Sequence, residues 1–172
     1  MNRFDTIDYL MEGSEMQKKI HSILIRSQVM TVLKDFTPVL TGTYPLDLSI
    51  PGSDLDIICY VMDKERFISI IEKHYSLFEG YKIQLHNRNK QEIILVNFFM
   101  EGIEFEIYGQ DVPVIQQNAY LHMINEYKFL SMYGEPFRRQ VIDLKRNGMK
   151  TEPAFAYLLN LKGDPYEAML KI

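Results

Sequence analysis

A chain of 172 residues of which 47% are hydrophobic has enough apolar side chain to bury a core, so a disordered polypeptide is excluded. Its net charge of −4 and pI of about 5.6 speak against an extended nucleic-acid-binding surface, which clustered Lys and Arg would have to supply. The single cysteine, Cys59, excludes an internal disulfide and suits a reducing cytoplasm. The N-terminal MNRFDTIDYL lacks a signal peptide's apolar run and no stretch nears the ~20 apolar residues of a membrane span, so a soluble, cytoplasmic protein without membrane contact is expected.

A first helix is expected over residues 3–11, stopped by Gly13. Ser14 and Gln17 form a Ser-x-x-Gln capping box. The helix they open runs to about Lys34, with Met16, Ile20, Ile23 and Met30 as its core-facing stripe. His21 lies beside that stripe without a histidine four residues on, so the spacing of a zinc-binding helix is absent. Pro38-Val39-Leu40 reads as a short strand, followed by Gly42-Thr43, a Pro51-Gly52 turn and the run Asp54-Leu55-Asp56-Ile57-Ile58. Side chains alternate along a strand, so Asp54 and Asp56 share one face while Leu55 and Ile57 enter the core. Two adjacent carboxylates repel unless water separates them or a cation bridges them. An exposed strand face is one reading; an oxygen ligand set for a hard ion such as Mg²⁺ is the other. Cys59, within the same apolar run, reads as a small buried hydrophobe.

Asp63 caps an expected helix over residues 64–77 whose buried face is Phe67, Ile70 and Ile71, and Gly80 ends the unit. Strands follow at 81–86, 92–100 and 103–108, joined by a turn at Asn87-Arg88-Asn89-Lys90 and a tight turn at Glu101-Gly102. With Ile103, Phe105 and Ile107 inward, Glu104, Glu106 and Tyr108 take the opposite face. Asp111-Val112-Pro113 opens a helix to Tyr133, stopped by Gly134; Gln110, Gln116, Gln117, Asn118 and His122 near its start read as surface and cap residues, with Gln110 alternatively bordering the acids. A helix over residues 135–147 carries Arg138, Arg139, Lys145 and Arg146, either a solvated face or a phosphate-facing patch. Short helices start at Thr151 and Pro165. The pattern is an α+β fold: a mixed sheet of about five strands with helices packed on it and a helical C-terminal part. We expect residues 1–110 to form the α/β core and residues 111–172 a helical extension packed on it as one compact unit.

The sequence has no Gly-x-x-x-x-Gly-Lys-Ser/Thr loop, no Gly-x-Gly-x-x-Gly and no Gly-x-Ser-x-Gly elbow, and Asp54-Leu55-Asp56 lacks the further acid and glycine of a calcium loop. A short strand, a Gly-hydroxyl pair (Gly42-Thr43), ten residues (44–53) and then Asp54-Leu55-Asp56 between apolar residues resemble the signature of the nucleotidyltransferase superfamily related to DNA polymerase beta. The segments IPGSDLDIICY (50–60), FEIYGQ (105–110), QNAYLHM (117–123) and KTEPAFAYLL (150–159) resemble the DUF4269 family, over most of the chain. The resemblance implies a nucleotidyltransferase fold in which Asp54 and Asp56 hold Mg²⁺, two ions in an active enzyme. A third carboxylate on a neighbouring strand is Glu106, with Glu104 as the alternative. The superfamily's usual residue there is Asp, and its usual Ser or Gly stands at Thr43. Gly42, Thr43 and Ser53 would meet the nucleotide. The implied partners are an NTP and an acceptor hydroxyl. A catalytically silent binding or partner module, such as a toxin–antitoxin component, is the alternative.

Overall fold

The computed structural model describes residues 3–88 and 91–172. The capping box forms as the sequence predicts: Ser14 Oγ accepts from Gln17 N, Gln17 Oε1 accepts from Ser14 N, and α1 (Glu15–Ser27) follows. Ile20 and Ile23 are fully buried, but Met16 is 42% exposed. The inward place in the first turn belongs to Gln17, whose amide donates to the carbonyls of Tyr44 and Pro45. Residues 3–11 form two 3-10 turns, Arg3–Asp5 and Asp8–Glu12, rather than an α-helix; Thr6 Oγ1 accepts from Asp8 N and competes with the helical ladder. α1 also stops short of Lys34. Gln28 turns left-handed (φ 56°), and α2 (Val29–Val32) and a 3-10 turn (Lys34–Phe36) carry the chain on.

One mixed sheet contains β1 (Val39–Leu40), β2 (Leu55–Tyr60), β3 (Glu79–Arg88), β4 (Gln91–Met100) and β5 (Ile103–Gln110), in the order β1-β2-β5-β4-β3. Only β2 and β5 run parallel. Parallel neighbours need a crossover. Here α3 (Lys64–Tyr75), capped by Asp63 Oδ1 accepting from Arg66 N, leads into a β3–β4–β5 meander that returns β5 beside β2. Glu101 (φ 53°) and Gly102 (φ 75°) make the left-handed two-residue turn between β4 and β5. The turn expected at residues 87–90 includes Asn89 and Lys90, which lie outside the described residues.

Alternation sorts the sheet into two faces. Leu55, Ile57, Val96, Phe98, Phe105 and Ile107 are fully buried. Phe98 lies stacked with Tyr75 of α3 and with Phe105, ring centroids 4.8 Å away in each case. Asp56, Asn97, Glu106 and Tyr108 occupy the other face. The helix expected from Pro113 begins at Asn118 instead, because Gln117 Nε2 donates to the carbonyls of Cys59 and Val112 and pins the preceding segment to β2. This α4 (Asn118–Arg146) kinks at Gly134 (φ 68°, ψ −160°), where the sequence predicts a stop. α5 (Thr151–Leu158) and α6 (Pro165–Leu170) complete the chain. Phe137, Val141, Phe155 and Met169 from these helices belong to the same apolar core as Leu10, Ile23 and Leu48. No described helix is long and apolar enough to cross a membrane.

Truncating the stacked ring tests this core. Phe98→Ala is expected to cost about 3–5 kcal/mol in urea-induced unfolding, and a loss below ~1 kcal/mol would contradict the packing described.

Candidate active site

The parallel register pairs Asp56 with Glu106 directly, and the antiparallel register pairs Glu106 with Asn97. A row of polar side chains therefore runs across β2, β5 and β4 on one face. Asp54, just before β2, points the same way. One carboxylate oxygen each from Asp54, Asp56 and Glu106 lies within 4.8 Å of the other two, and no other three His, Cys, Asp or Glu among the described residues converge so closely. Asn97 Nδ2 donates to Glu106 Oε1 (2.9 Å) and to Glu104 Oε1 (3.0 Å), and the Tyr108 hydroxyl donates to Glu106 Oε2 (2.7 Å). Glu106 joins the two aspartates; Glu104 stands one strand position further out.

The turn after β1 closes against these acids. Thr41 N donates to the Asp56 carbonyl (2.9 Å), and Gly42 takes φ +73°. A Cβ built on Gly42 would overlap Asp56 Oδ2, so glycine is required both by conformation and by the approach of the carboxylate. The following loop is held at several points. Tyr44 donates to the Ser53 carbonyl, Ser53 Oγ accepts from Ile50 N, Ser14 donates to Asp47 Oδ1, and the Arg138 guanidinium reaches the Leu46 carbonyl. Thr43 Oγ1 is buried without a partner. Ser53 lies across a small cavity from Lys145, Lys150 and Thr151.

A central cavity of about 340 Å³ has Thr43, the three acids and Tyr108 on one side and His122, Glu126, Lys150 and Glu152 on the other. Burial, followed by the charges of Asp54, Glu106 and Glu152, pushes the Asp56 carboxyl well above its ordinary range, with Lys145 opposing. Burial, with Glu152, likewise pushes Glu126 up, and its Oε1 lacks a partner. Burial lowers the Lys145 ammonium to about 8 although four carboxylates pull it upward. His122 Nδ1 lies 3.3 Å from Glu152 Oε1 and its Nε2 3.0 Å from the Tyr166 carbonyl. Burial disfavours the imidazolium, but these acceptors outweigh it and raise the His122 pKa, while His122 keeps Glu152 below the usual carboxylate range despite burial. An oxygen-only donor set that repels itself in a half-buried place fits a divalent cation.

Several of these groups are not where the charge pattern of the sequence puts them. Arg139 and Arg146 are exposed and make ion pairs along their helix, as a solvated face would. Lys145 is 6% exposed and Arg138 holds the loop. Phe137, Val141 and Lys145 recur every fourth residue on one buried stripe, as do His122, Glu126 and Leu130, and that spacing is the signal for them. Gln117 and His122 are buried rather than surface residues. Gln110 faces an adjoining cavity rather than the acids themselves.

The fold and the acid cluster define a protein of the nucleotidyltransferase fold. Solved structures sharing it include the polymerase core of TRAMP, an RNA surveillance complex (16% identity, TM-score 0.51, 91% of this chain and 49% of that one). A cytoplasmic RNA terminal U-transferase matches at 14% identity and TM-score 0.55 over 89% of this chain and 50% of its own, and the GLD-2/RNP-8 complex at 15% and 0.52 over 88% and 57%. This chain thus spans about half the length of the structures it matches, and at these identities the likeness establishes the fold. No curated protein matches the chain. The chain belongs to the family described as Domain of unknown function (DUF4269), whose sequence model matches residues 22–172.

Two outcomes follow from the electrostatics. Raised carboxyl and imidazole pKa values mean that the native state binds more protons than the unfolded chain, so metal-free stability falls as pH rises from the ordinary carboxylate range (about 4–4.5) through neutrality. Lys145 adds no slope until pH reaches about 8, and above that its depressed pKa works in the opposite sense. In thermal melts across this range Glu126→Gln should flatten the fall; an unchanged slope would contradict the burial of that carboxylate. Gly42→Ala should lower stability by about 1 kcal/mol or more and weaken divalent-ion binding in calorimetry, and wild-type binding would contradict the close approach.

Proposed function

We propose that this protein transfers a nucleoside monophosphate from an NTP to a hydroxyl of an acceptor, with Mg²⁺ as cofactor. One observation carries the reading: three carboxylates converge on a cavity lined also by Thr43, whose hydroxyl is buried without a partner, and an adjoining cavity that shares Thr43 and Asp54 is lined by Lys145. Asp54, Asp56 and Glu106 would hold the Mg²⁺, two ions when fully loaded, and bound metal supplies charge neutralisation at the phosphates and acidifies the attacking hydroxyl. Gly42 lets backbone approach the triphosphate, Thr43 donates to a phosphate oxygen, and Ser53 borders the same space. Lys145, Lys150 and Thr151 offer cationic and hydroxyl donors to the β- and γ-phosphates from the opposite wall. The acceptor oxygen bonds to the α-phosphorus, the α–β phosphoanhydride bond breaks, and pyrophosphate leaves with the electron pair. The hydroxyl proton passes to Glu106, whose orientation Asn97 and Tyr108 fix. In this scheme residues 1–110 carry the acids and the phosphate loop, and residues 111–172 close the cavity. The matched polymerase and U-transferase support the reading by fold and by the reactions in their names.

A second reading is a silent nucleotide-binding or partner module. Its observation is that both Glu106 oxygens already accept hydrogen bonds, from Asn97 and Tyr108, at a position where Glu replaces the superfamily's usual Asp.

Mg²⁺ with an NTP at about a hundred times its Kd should raise the wild-type Tm by roughly 5–10 °C, and Asp54→Ala with Asp56→Ala should abolish the shift. No shift with any of the four NTPs would contradict the transfer reading and leave, of the second, only a partner module that does not bind nucleotide. Pyrophosphate release with a competent acceptor should fall about 10³-fold or more in Glu106→Gln, whereas the silent reading predicts nucleotide binding without release.

A further inference from the structure

Beyond Tyr108 lies a second cavity of about 450 Å³, and Ile58, Tyr108 and Ala119 line both. Tyr108 donates to Glu106 Oε2, so this space adjoins the third carboxylate on the side away from Thr43, Lys145 and Ser53. Its polar lining is largely carboxamide: Gln110 from the end of β5, and Gln116, Gln117 and Asn118 where the chain enters α4. Gln117 is 2% exposed, and its Nε2 is committed to two carbonyls. That commitment fixes which way the amide faces and leaves Oε1 buried without a donor. The apolar lining is Ile58, Ile93 and the Tyr108 ring, and the only charged group lining it among the described residues is Glu167.

Such a wall has a definite chemical complement. Carboxamides offer donors and acceptors side by side, as a run of hydroxyls requires, while aliphatic and aromatic faces cover C–H surface. A nucleic-acid acceptor would instead bring phosphates, which need Lys or Arg, and none lines the cavity among the described residues. We propose that this cavity is the acceptor site and that the acceptor is a small polyhydroxyl compound of the sugar class, its reacting hydroxyl presented to Glu106 past Tyr108. The proposal rests on the nucleotidyl-transfer reading for its chemistry, but the cavity's selectivity can be measured without turnover.

Saturation-transfer NMR with methyl α-glucoside and myo-inositol, each with and without Mg²⁺ and a non-hydrolysable ATP analogue, tests it, run alongside the nucleotide-induced Tm shift. Both polyols should receive saturation from wild type, and Gln110→Leu with Gln116→Leu should weaken their binding about tenfold or more while the nucleotide shift and the ligand-free Tm stay unchanged. If neither polyol binds while the nucleotide shift is intact, the acceptor assignment is overturned and the transfer reading survives. Binding of a short oligoribonucleotide in place of the polyols overturns it in favour of an RNA end. A changed nucleotide shift in the double variant, with polyol binding retained, overturns it by assigning the cavity to the base. Polyol binding that the two leucines weaken, without any nucleotide shift in wild type, would support the cavity's selectivity and contradict the transfer reading alone.

Discussion

The parallel pairing of β2 with β5 sets Asp56 beside Glu106, and Asp54 completes a cluster whose charges repel one another. Like charges held close in a partly desolvated place cost free energy unless something opposite in sign joins them. Around this cluster the chain provides only partial relief. Asn97 and Tyr108 donate to Glu106, and Lys145 faces the group from the helical side without forming an ion pair with any of the three acids. A fold that needed stability alone would place apolar residues or a single charge here.

The rest of the molecule makes this arrangement rigid. α3 packs on the far face of the sheet, where Phe98 and its stacked neighbours fix the strands whose opposite sides carry the acids. The loop between β1 and β2 is held by Ser14 and Gln17 at the start of α1 and by Arg138 from α4, so Gly42 and Thr43 are kept against Asp56 from two directions. Lys145 near the end of α4 and Lys150 just before α5 bring the compensating cations. The helical part thus contributes charge as well as cover, and the cavity exists only where the two sets of elements face each other.

Much of this was legible in the chain. Period-two alternation in Asp54-Leu55-Asp56-Ile57 and in Ile103–Ile107 is strong, and one face of each strand is wholly apolar, so the direction of the acids follows from it. Glu101-Gly102 declares its turn through left-handed backbone. The helical residues of the site were harder to see. Lys145, His122 and Glu126 lie on buried stripes, yet a charged residue at helical spacing looks like a solvated face until the opposing wall is known. The late start of α4 was also hidden, because Gln117 bonds to Cys59, 58 residues away, and local propensity carries no trace of such a contact. Thr6 is the opposite case: its hydroxyl accepts from Asp8 N only two residues on, a local competition with the helical ladder that gives 3-10 turns where a helix is expected.

The central claim is that Asp54, Asp56 and Glu106 are the ligands of a divalent ion that the fold is built to hold. Crystals grown with Mn²⁺ and a non-hydrolysable NTP, measured for anomalous scattering, test it most directly. The account predicts peaks bridging these three carboxylates and the triphosphate, lost in Asp56→Asn. Nucleotide bound with no peak at the cluster, or a metal held elsewhere on the chain, would contradict it.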